Sequence, residues 1–144
     1  MKKIFVVLAM LLTVSAFAGE DKVSPKVLEA FNQDFVSAQQ VEWTAGPDFY
    51  KASFAMNGQQ VFAYYRANGD LLGLTRNIST AQLPLQLQGK LKKNYDGYWV
   101  SGLFELANTD GTSYYITLEN ADIKMVLKSS NGGNWTVFQK SSKA

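Results

Sequence analysis

Residues 62–73, FAYYRANGDLLG, constrain the fold more than any other stretch of this sequence. They join two runs of alternating residues through Asn68-Gly69, the dipeptide most typical of tight β-hairpin turns. One alternate set is predicted to form a buried face: Val61, Ala63, Tyr65, Leu72 and Leu74. The opposite face then carries Phe62, Tyr64 and Leu71, where a hairpin with one solvated face would have polar residues. The pattern therefore predicts a hairpin with two apolar faces.

An amphipathic helix is predicted before this hairpin. Ser24-Pro25 supplies a capping hydroxyl and a proline at the first helical position. Apolar residues then recur on one helical face as far as Phe35. Alternating segments follow, separated by turn signals at Gly46-Pro47-Asp48 and Asn57-Gly58. The first half is therefore predicted to be one helix followed by four antiparallel strands.

The second half shows the same order of patterns. Pro84 marks a helix start, apolar residues spaced by four reach Tyr95, and Asp96-Gly97 ends the helix. Strands are predicted over about residues 98–108, 112–119, 123–130 and 134–140. We therefore predict an α+β fold in which a helix followed by a four-stranded antiparallel sheet is duplicated, with pseudo-repeats 24–78 and 79–140 and with the helices packed on the sheet. Chance similarity between two amphipathic patterns is the alternative explanation of the repeat.

The turn near Asp110-Gly111 decides which residues share a face in the second half. A three-residue loop, Thr109 to Gly111, keeps Phe104 on the same face as Ile116, so we predict that loop. Leu103 and Tyr115 then fall on the opposite face.

Across both halves, the face that is not assigned to the core is rich in aromatic and apolar residues. Its members form the candidate partner-binding face: Phe62, Tyr64, Trp99, Leu103, Tyr115 and Trp135. So much apolar surface is rarely left in water without a reason. Two explanations stay open: the face binds a partner, or another sheet or a helix of the same chain covers it.

The N-terminus has the pattern of a signal peptide. Lys2 and Lys3 precede an apolar run, and Ala16-Phe17-Ala18 fits the small-x-small cleavage rule. The run is shorter than the roughly 20 residues of a membrane-spanning helix. We therefore predict a cleaved signal peptide over residues 1–18, a single mature domain over 19–144 with no stable membrane insertion, and a periplasmic or secreted location.

The composition argues against nucleic-acid binding and against most kinds of catalytic or metal site. Loss of Lys2 and Lys3 would leave 12 of the 14 basic residues against 12 acidic ones, which gives no electrostatic case for nucleic acid. The sequence has no histidine and no cysteine, so the commonest general base, the usual zinc ligands and disulfides are all missing. We expect no catalytic residue, no cofactor and no metal site, and hence no enzyme.

Several short motifs resemble one known family. The helix with VLEAF, the VEW strand, YKASF, the YYRANGDLLG hairpin and the later LP...L...Y.G helix are similar to the β-lactamase-inhibitor-like, PepSY-like family of exported bacterial proteins. The resemblance covers about residues 25–97, and it departs from the family where Val36 replaces a proline that often follows the last helical phenylalanine. It implies helices packed on an antiparallel sheet, a periplasmic or extracellular location and no established catalysis.

Two functions fit these features. The first is an exported non-enzymatic binding module, possible partners being envelope or secreted proteins, or an inhibitor-like domain. The alternative is a protein that binds a small apolar or peptidic ligand, with Tyr64, Arg66 and Tyr115 as polar groups in the pocket. A homodimer through the aromatic face would use the same residues, so the sequence does not separate it from the first function.

Overall fold

The computed structural model describes residues 16–18 and 22–143 of the chain. The first helix and strands are β1 (Ala16–Ala18), α1 (Pro25–Asp34), β2 (Gln39–Ala45), β3 (Tyr50–Met56), β4 (Gln59–Tyr65) and β5 (Leu71–Asn77). A short 3₁₀ turn (Thr80–Gln82) leads to α2 (Leu85–Asn94), β6 (Trp99–Asn108), β7 (Gly111–Glu119), β8 (Ile123–Ser129) and β9 (Thr136–Ser142). Most of the predicted signal peptide, residues 1–15, lies outside the described residues, as do residues 19–21. Ala16–Ala18 pair with β2.

The strands belong to one sheet in which they follow chain order from β1 to β9. The neighbouring strands pair in antiparallel fashion, as in β2–β3, β3–β4, β6–β7 and β7–β8. The predicted fold class, a duplicated unit of one helix and a four-stranded sheet, was therefore wrong: the described residues form a single antiparallel sheet with two α-helices. Alternation shows which residues of a strand share a face, but it does not show where a sheet ends. The sequence pattern could not reveal that the sheet continues past β5.

The chain divides into two compact units, and the first ends at Leu74. Its core lies between α1 and the strands, around the ring of Phe31. That ring makes edge contacts with Trp43 and Phe54 at centroid distances of 5.2 and 5.1 Å. The Tyr65 hydroxyl donates a hydrogen bond of 3.0 Å to Asp34 Oδ2 at the end of α1. Interlocked aromatic rings and one polar contact thus hold α1 on the sheet.

The second unit begins at Thr75 and has its own core beneath α2. The buried members of this core are Leu83, Leu87, Leu103, Ile116, Leu118, Met125 and Leu127. Arg76 lies beside this core and donates two hydrogen bonds to the Glu105 carboxylate, at 2.8 and 3.2 Å. Each unit therefore buries one face of its strands against one helix.

The β4–β5 hairpin has a longer loop than its Asn-Gly sequence predicts. The Arg66 N–H donates to the Asp70 carbonyl, so the loop contains three residues, and Gly69 adopts a φ of +94°. The extra loop residue changes the register by one position. Leu72 consequently packs against Tyr64 instead of joining the core of the first unit, and its predicted core position was wrong.

The β6–β7 hairpin shows the opposite error. Asn108 pairs with Gly111, which leaves a two-residue loop in place of the predicted three-residue loop. The Asn108 side chain accepts a hydrogen bond from the backbone of Asp110, and Gly111 has a φ of +123°. Leu103 therefore lies opposite Ile116 in the core, and the predicted placement of Leu103 on the second face was wrong.

Candidate functional site

Each unit has an aromatic cluster on the strand face that does not pack on its helix. In the second unit we call this cluster the second-unit aromatic face: Trp99, Phe104, Tyr115, Lys128 and Phe138. Phe104, Tyr115 and Lys128 are direct cross-strand neighbours on β6, β7 and β8. Trp99 pairs with Glu119, four residues beyond Tyr115 on β7 and therefore on the same face.

Tyr115 is the buried centre of this face. Its ring stacks on Phe104 at 4.9 Å with an interplanar angle of 13°, and it meets the Phe138 ring edge-on at 5.5 Å. Only 2% of the residue is exposed, and its hydroxyl has no hydrogen-bond partner among the described residues. Burial raises the pKa of Tyr115 to about 12. The side chain is thus neutral at physiological pH. It packs against Phe104 and Phe138 and is not exposed to solvent.

Trp99 is the exposed member, with 53% of its surface in solvent. Lys143 Nζ lies 4.6 Å from the ring centre and also forms a 3.0 Å ion pair with Glu119. Hydrogen bonds from Ser101 and then Lys143 lower the pKa of Glu119. Trp99 therefore has a lysine over its ring and still offers an exposed apolar surface to a partner.

The first unit carries a similar cluster, the first-unit aromatic face: Phe49, Lys51, Phe62, Tyr64 and Leu72. Phe49 and Tyr64 are buried, with ring centroids 6.1 Å apart, and Phe62 and Leu72 pack against them. Lys51 is the cross-strand neighbour of Tyr64. Its Nζ lies 4.6 Å from the centre of the Phe62 ring and 5.8 Å from that of Tyr64.

The structure separates the six residues of the candidate partner-binding face. Phe62 and Tyr64 lie together in the first-unit aromatic face, and Trp99 and Tyr115 lie in the second-unit one. Leu103 belongs to the core under α2. Trp135 packs against the same core, and its Nε1 donates a hydrogen bond of 3.1 Å to the carbonyl of Leu87 in α2. These last two residues therefore support the helix and do not share a surface with the others.

Sequence reasoning missed six members of these faces: Phe49, Lys51, Leu72, Phe104, Lys128 and Phe138. Phe104 was assigned to the core through the wrong hairpin loop, and alternation in the last hairpin predicts that Phe138 shares a face with Leu127. A register shift in the β8–β9 pair, between Val126 and Leu127, places Phe138 against Tyr115. Apart from the alternation of residues along their strands, nothing in the sequence indicated that Lys51 and Lys128 belong to these faces.

The second unit also contains a cleft beside the end of α2. Its volume is about 210 Å³, and its lining includes Leu91, Tyr95 and Tyr98. The two tyrosine rings meet edge-on at 6.0 Å. The cleft is smaller than the roughly 300–1,000 Å³ of most ligand pockets.

Over the part of the chain that the structure describes, no three or more side chains of His, Cys, Asp or Glu come close enough to hold a metal ion. Among the helices described, none is both long and apolar enough to cross a membrane.

Comparison with known proteins identifies the fold. No protein-family model matches the sequence, and no curated protein matches it. Among solved structures, a BLIP-like protein from Bacteroides fragilis superposes with a TM-score of 0.71 at 20% identity, covering 84% of this chain and 86% of that one. A DUF2874 family protein from Bacteroides ovatus gives a TM-score of 0.74 at 20% identity, with 85% and 89% covered.

A third neighbour, a candidate periplasmic protein from Bacteroides eggerthii, gives a TM-score of 0.71 at 13% identity, with 83% and 88% covered. The chain therefore has a BLIP-like fold. At these identities the likeness extends to the fold alone, and the PepSY-like part of the resemblance stays a prediction.

Proposed function

We propose that this chain is an exported, non-enzymatic binding module that captures a protein of the bacterial envelope through the aromatic faces of its sheet. The observation that carries the proposal is the exposed Trp99 on the same strand face as the stacked rings of Phe104 and Tyr115. Tryptophan and tyrosine are enriched at the energetic centres of protein interfaces because they bury a large area with little loss of side-chain entropy.

Two further observations support this proposal. The fold is that of a BLIP-like protein, and one structural neighbour is described as a candidate periplasmic protein, which agrees with the predicted signal peptide and PepSY-like resemblance. The sequence also lacks histidine and cysteine, the side chains on which most nucleophilic and general-base catalysis depends. Binding of a small apolar or peptidic ligand is the weaker candidate, because the cleft beside α2 is small.

The test is affinity capture from an envelope extract of the source organism. The wild type is compared as bait with a Trp99→Ala/Phe138→Ala double variant. The two substitutions remove one exposed and one partly buried ring from the second-unit aromatic face. The matched control is Leu85→Ala, because Leu85 on α2 is a large apolar residue with 82% exposure. Tyr115 is left intact, since truncation of a buried ring costs about 3–5 kcal/mol and would confuse binding with folding.

We expect the wild type and Leu85→Ala to retain the same partner and the double variant to lose it while keeping a native circular-dichroism spectrum. Equal capture by all three baits, or loss caused by Leu85→Ala alone, would exclude the second-unit aromatic face as the binding surface.

A further inference from the structure

The two aromatic faces share a feature that neither core has: a lysine placed over the ring of a buried tyrosine on the next strand. Lys51 on β3 is paired with Tyr64 on β4, and Lys128 on β8 is paired with Tyr115 on β7. In each pair the ammonium nitrogen lies 5.8 Å from the centre of the tyrosine ring. The same arrangement therefore occurs once in each unit, on different strands and with different neighbours.

Lys51 and Lys128 differ from the lysine and arginine that form ion pairs in the described part of the chain. Among the described residues, no carboxylate lies within ion-pair distance of Lys51 or Lys128. Two other cations of the described residues do have such a partner: Lys143 pairs with Glu119, and Arg76 pairs with Glu105. The two ammonium groups thus lie over aromatic rings without an ion pair to a described carboxylate.

Both lysines are also partly removed from water. Burial lowers the pKa of Lys51 and of Lys128. A cation over an aromatic ring gains only a modest attraction, whereas a charge-assisted hydrogen bond to a carboxylate is roughly twice as strong as a neutral one. A carboxylate that docks on either lysine would also meet an ammonium that has already lost part of its hydration.

The surroundings indicate what else an occupant carries. Phe62 lies beside Lys51, and Phe104 and Phe138 contact the tyrosine beside Lys128. An occupant must therefore place apolar groups next to its carboxylate. Anionic membranes instead attract clusters of basic residues, whereas Lys51 and Lys128 each lie over aromatic rings.

We propose that Lys51 and Lys128 each bind a carboxylate of the partner, so that the partner recognised by this module is a protein segment with acidic side chains next to apolar ones. This inference rests on the proposed function and specifies the chemistry of its partner. The inference also gives the first-unit aromatic face a role in binding, in addition to the role proposed for Trp99 in the second unit.

The test is a selection of random peptides displayed on phage, with the full chain as the immobilised target. Selected peptides are then synthesised, and their affinity is measured by fluorescence polarisation for four proteins. These are the wild type, Lys51→Gln/Lys128→Gln, Lys51→Arg/Lys128→Arg, and the control Lys26→Gln/Lys93→Gln. The control changes two exposed lysines on the helices and so removes the same net charge.

We expect the selected peptides to be enriched in Asp or Glu next to Leu, Ile or Phe. They should bind the Gln/Gln variant at least tenfold more weakly than the wild type, while the Arg/Arg variant and the control stay within about threefold. Replacement of the acidic residue of a peptide by its amide should weaken binding to the wild type and leave binding to the Gln/Gln variant unchanged.

Three results of the peptide experiment would overturn the inference: a library that yields no binder, selected peptides without acidic enrichment, and equal affinity for the wild type and the Gln/Gln variant. Binding to phosphatidylglycerol vesicles that the Gln/Gln variant loses would overturn it in favour of a membrane surface. Failure of the proposed function is detected separately, in the affinity capture from envelope extract. There it appears as equal capture of the partner by the wild type and by the Trp99→Ala/Phe138→Ala variant.

Discussion

Trp99 and Trp135 provide a direct test of which strand face supports the fold. Both are tryptophans of the second unit, and both belong to the candidate partner-binding face predicted from the sequence. The structure places Trp135 against the core under α2, with a hydrogen bond to the Leu87 carbonyl, and leaves 53% of Trp99 exposed. Alanine at the two positions should therefore affect stability very differently.

The size of the difference follows from area and hydrogen bonding. Truncation of Trp135 to alanine removes on the order of 100 Å² of apolar contact, which at about 25 cal/mol per Å² is roughly 2.5 kcal/mol. Loss of its hydrogen bond adds about 1 kcal/mol, for a total near 3.5 kcal/mol. Truncation of Trp99 removes about half that area and a weak cation–π contact, and should cost about 1–1.5 kcal/mol.

The measurement is urea unfolding of the full chain followed by far-ultraviolet circular dichroism. Each variant is compared with the wild type at constant m-value, so that the midpoints report changes in the free energy of unfolding. Trp135→Phe serves as an intermediate: it keeps most of the ring and loses the hydrogen bond, so a loss of about 1 kcal/mol is expected. Equal destabilisation by Trp99→Ala and Trp135→Ala, or a larger effect of Trp99→Ala, would refute the assignment of the two faces.

Two further predictions concern polar contacts at the ends of elements. In a double-mutant cycle of Tyr65→Phe and Asp34→Ala, we expect a coupling of about 1 kcal/mol in urea unfolding, because the carboxylate of this hydrogen bond is partly solvated; purely additive effects would contradict the contact. The lowered pKa of Glu119 means that its contribution to stability is present above its unfolded pKa of ~4.3 and is lost as the pH falls through the lower folded value. A carboxyl-detected NMR titration should show that pKa rising towards its ordinary value in Ser101→Ala, and an unchanged titration would show that the Ser101 hydrogen bond is not the main cause.

The helices were predictable because their signals are local. Proline at the start of each helix and apolar residues at helical spacing indicated both positions, and the structure has α1 at Pro25–Asp34 and α2 at Leu85–Asn94. Strand positions followed in the same way from alternation. The single sheet did not follow, because the choice of neighbouring strand depends on contacts between segments that are distant in sequence.

The two hairpin loops show why the faces were assigned only in part. A one-residue error in loop length moves side chains of the following strand to the other face. Leu74 nevertheless packs against the core of the first unit, as predicted. The β4–β5 loop is one residue longer than predicted, and the β6–β7 loop is one residue shorter. For this reason Leu72 lies on the aromatic face and not in the core, and Leu103 lies in the core and not on the aromatic face. Phe104 pairs with Tyr115 and not with Ile116.

The two buried tyrosines lie at the centres of the aromatic clusters, on the strand face that does not pack on the helix of its unit. Tyr64 and Tyr115 are almost fully inaccessible, and each contacts a neighbouring ring and has a lysine ammonium 5.8 Å from its ring centre. A tyrosine in this position packs against the neighbouring lysine and aromatic rings. A partner would contact that lysine and those rings, and not the buried tyrosine. Alanine at either tyrosine should consequently report on folding, whereas glutamine at either lysine should report on recognition. For this reason the binding experiments above change the lysines and the accessible rings and leave both tyrosines in place.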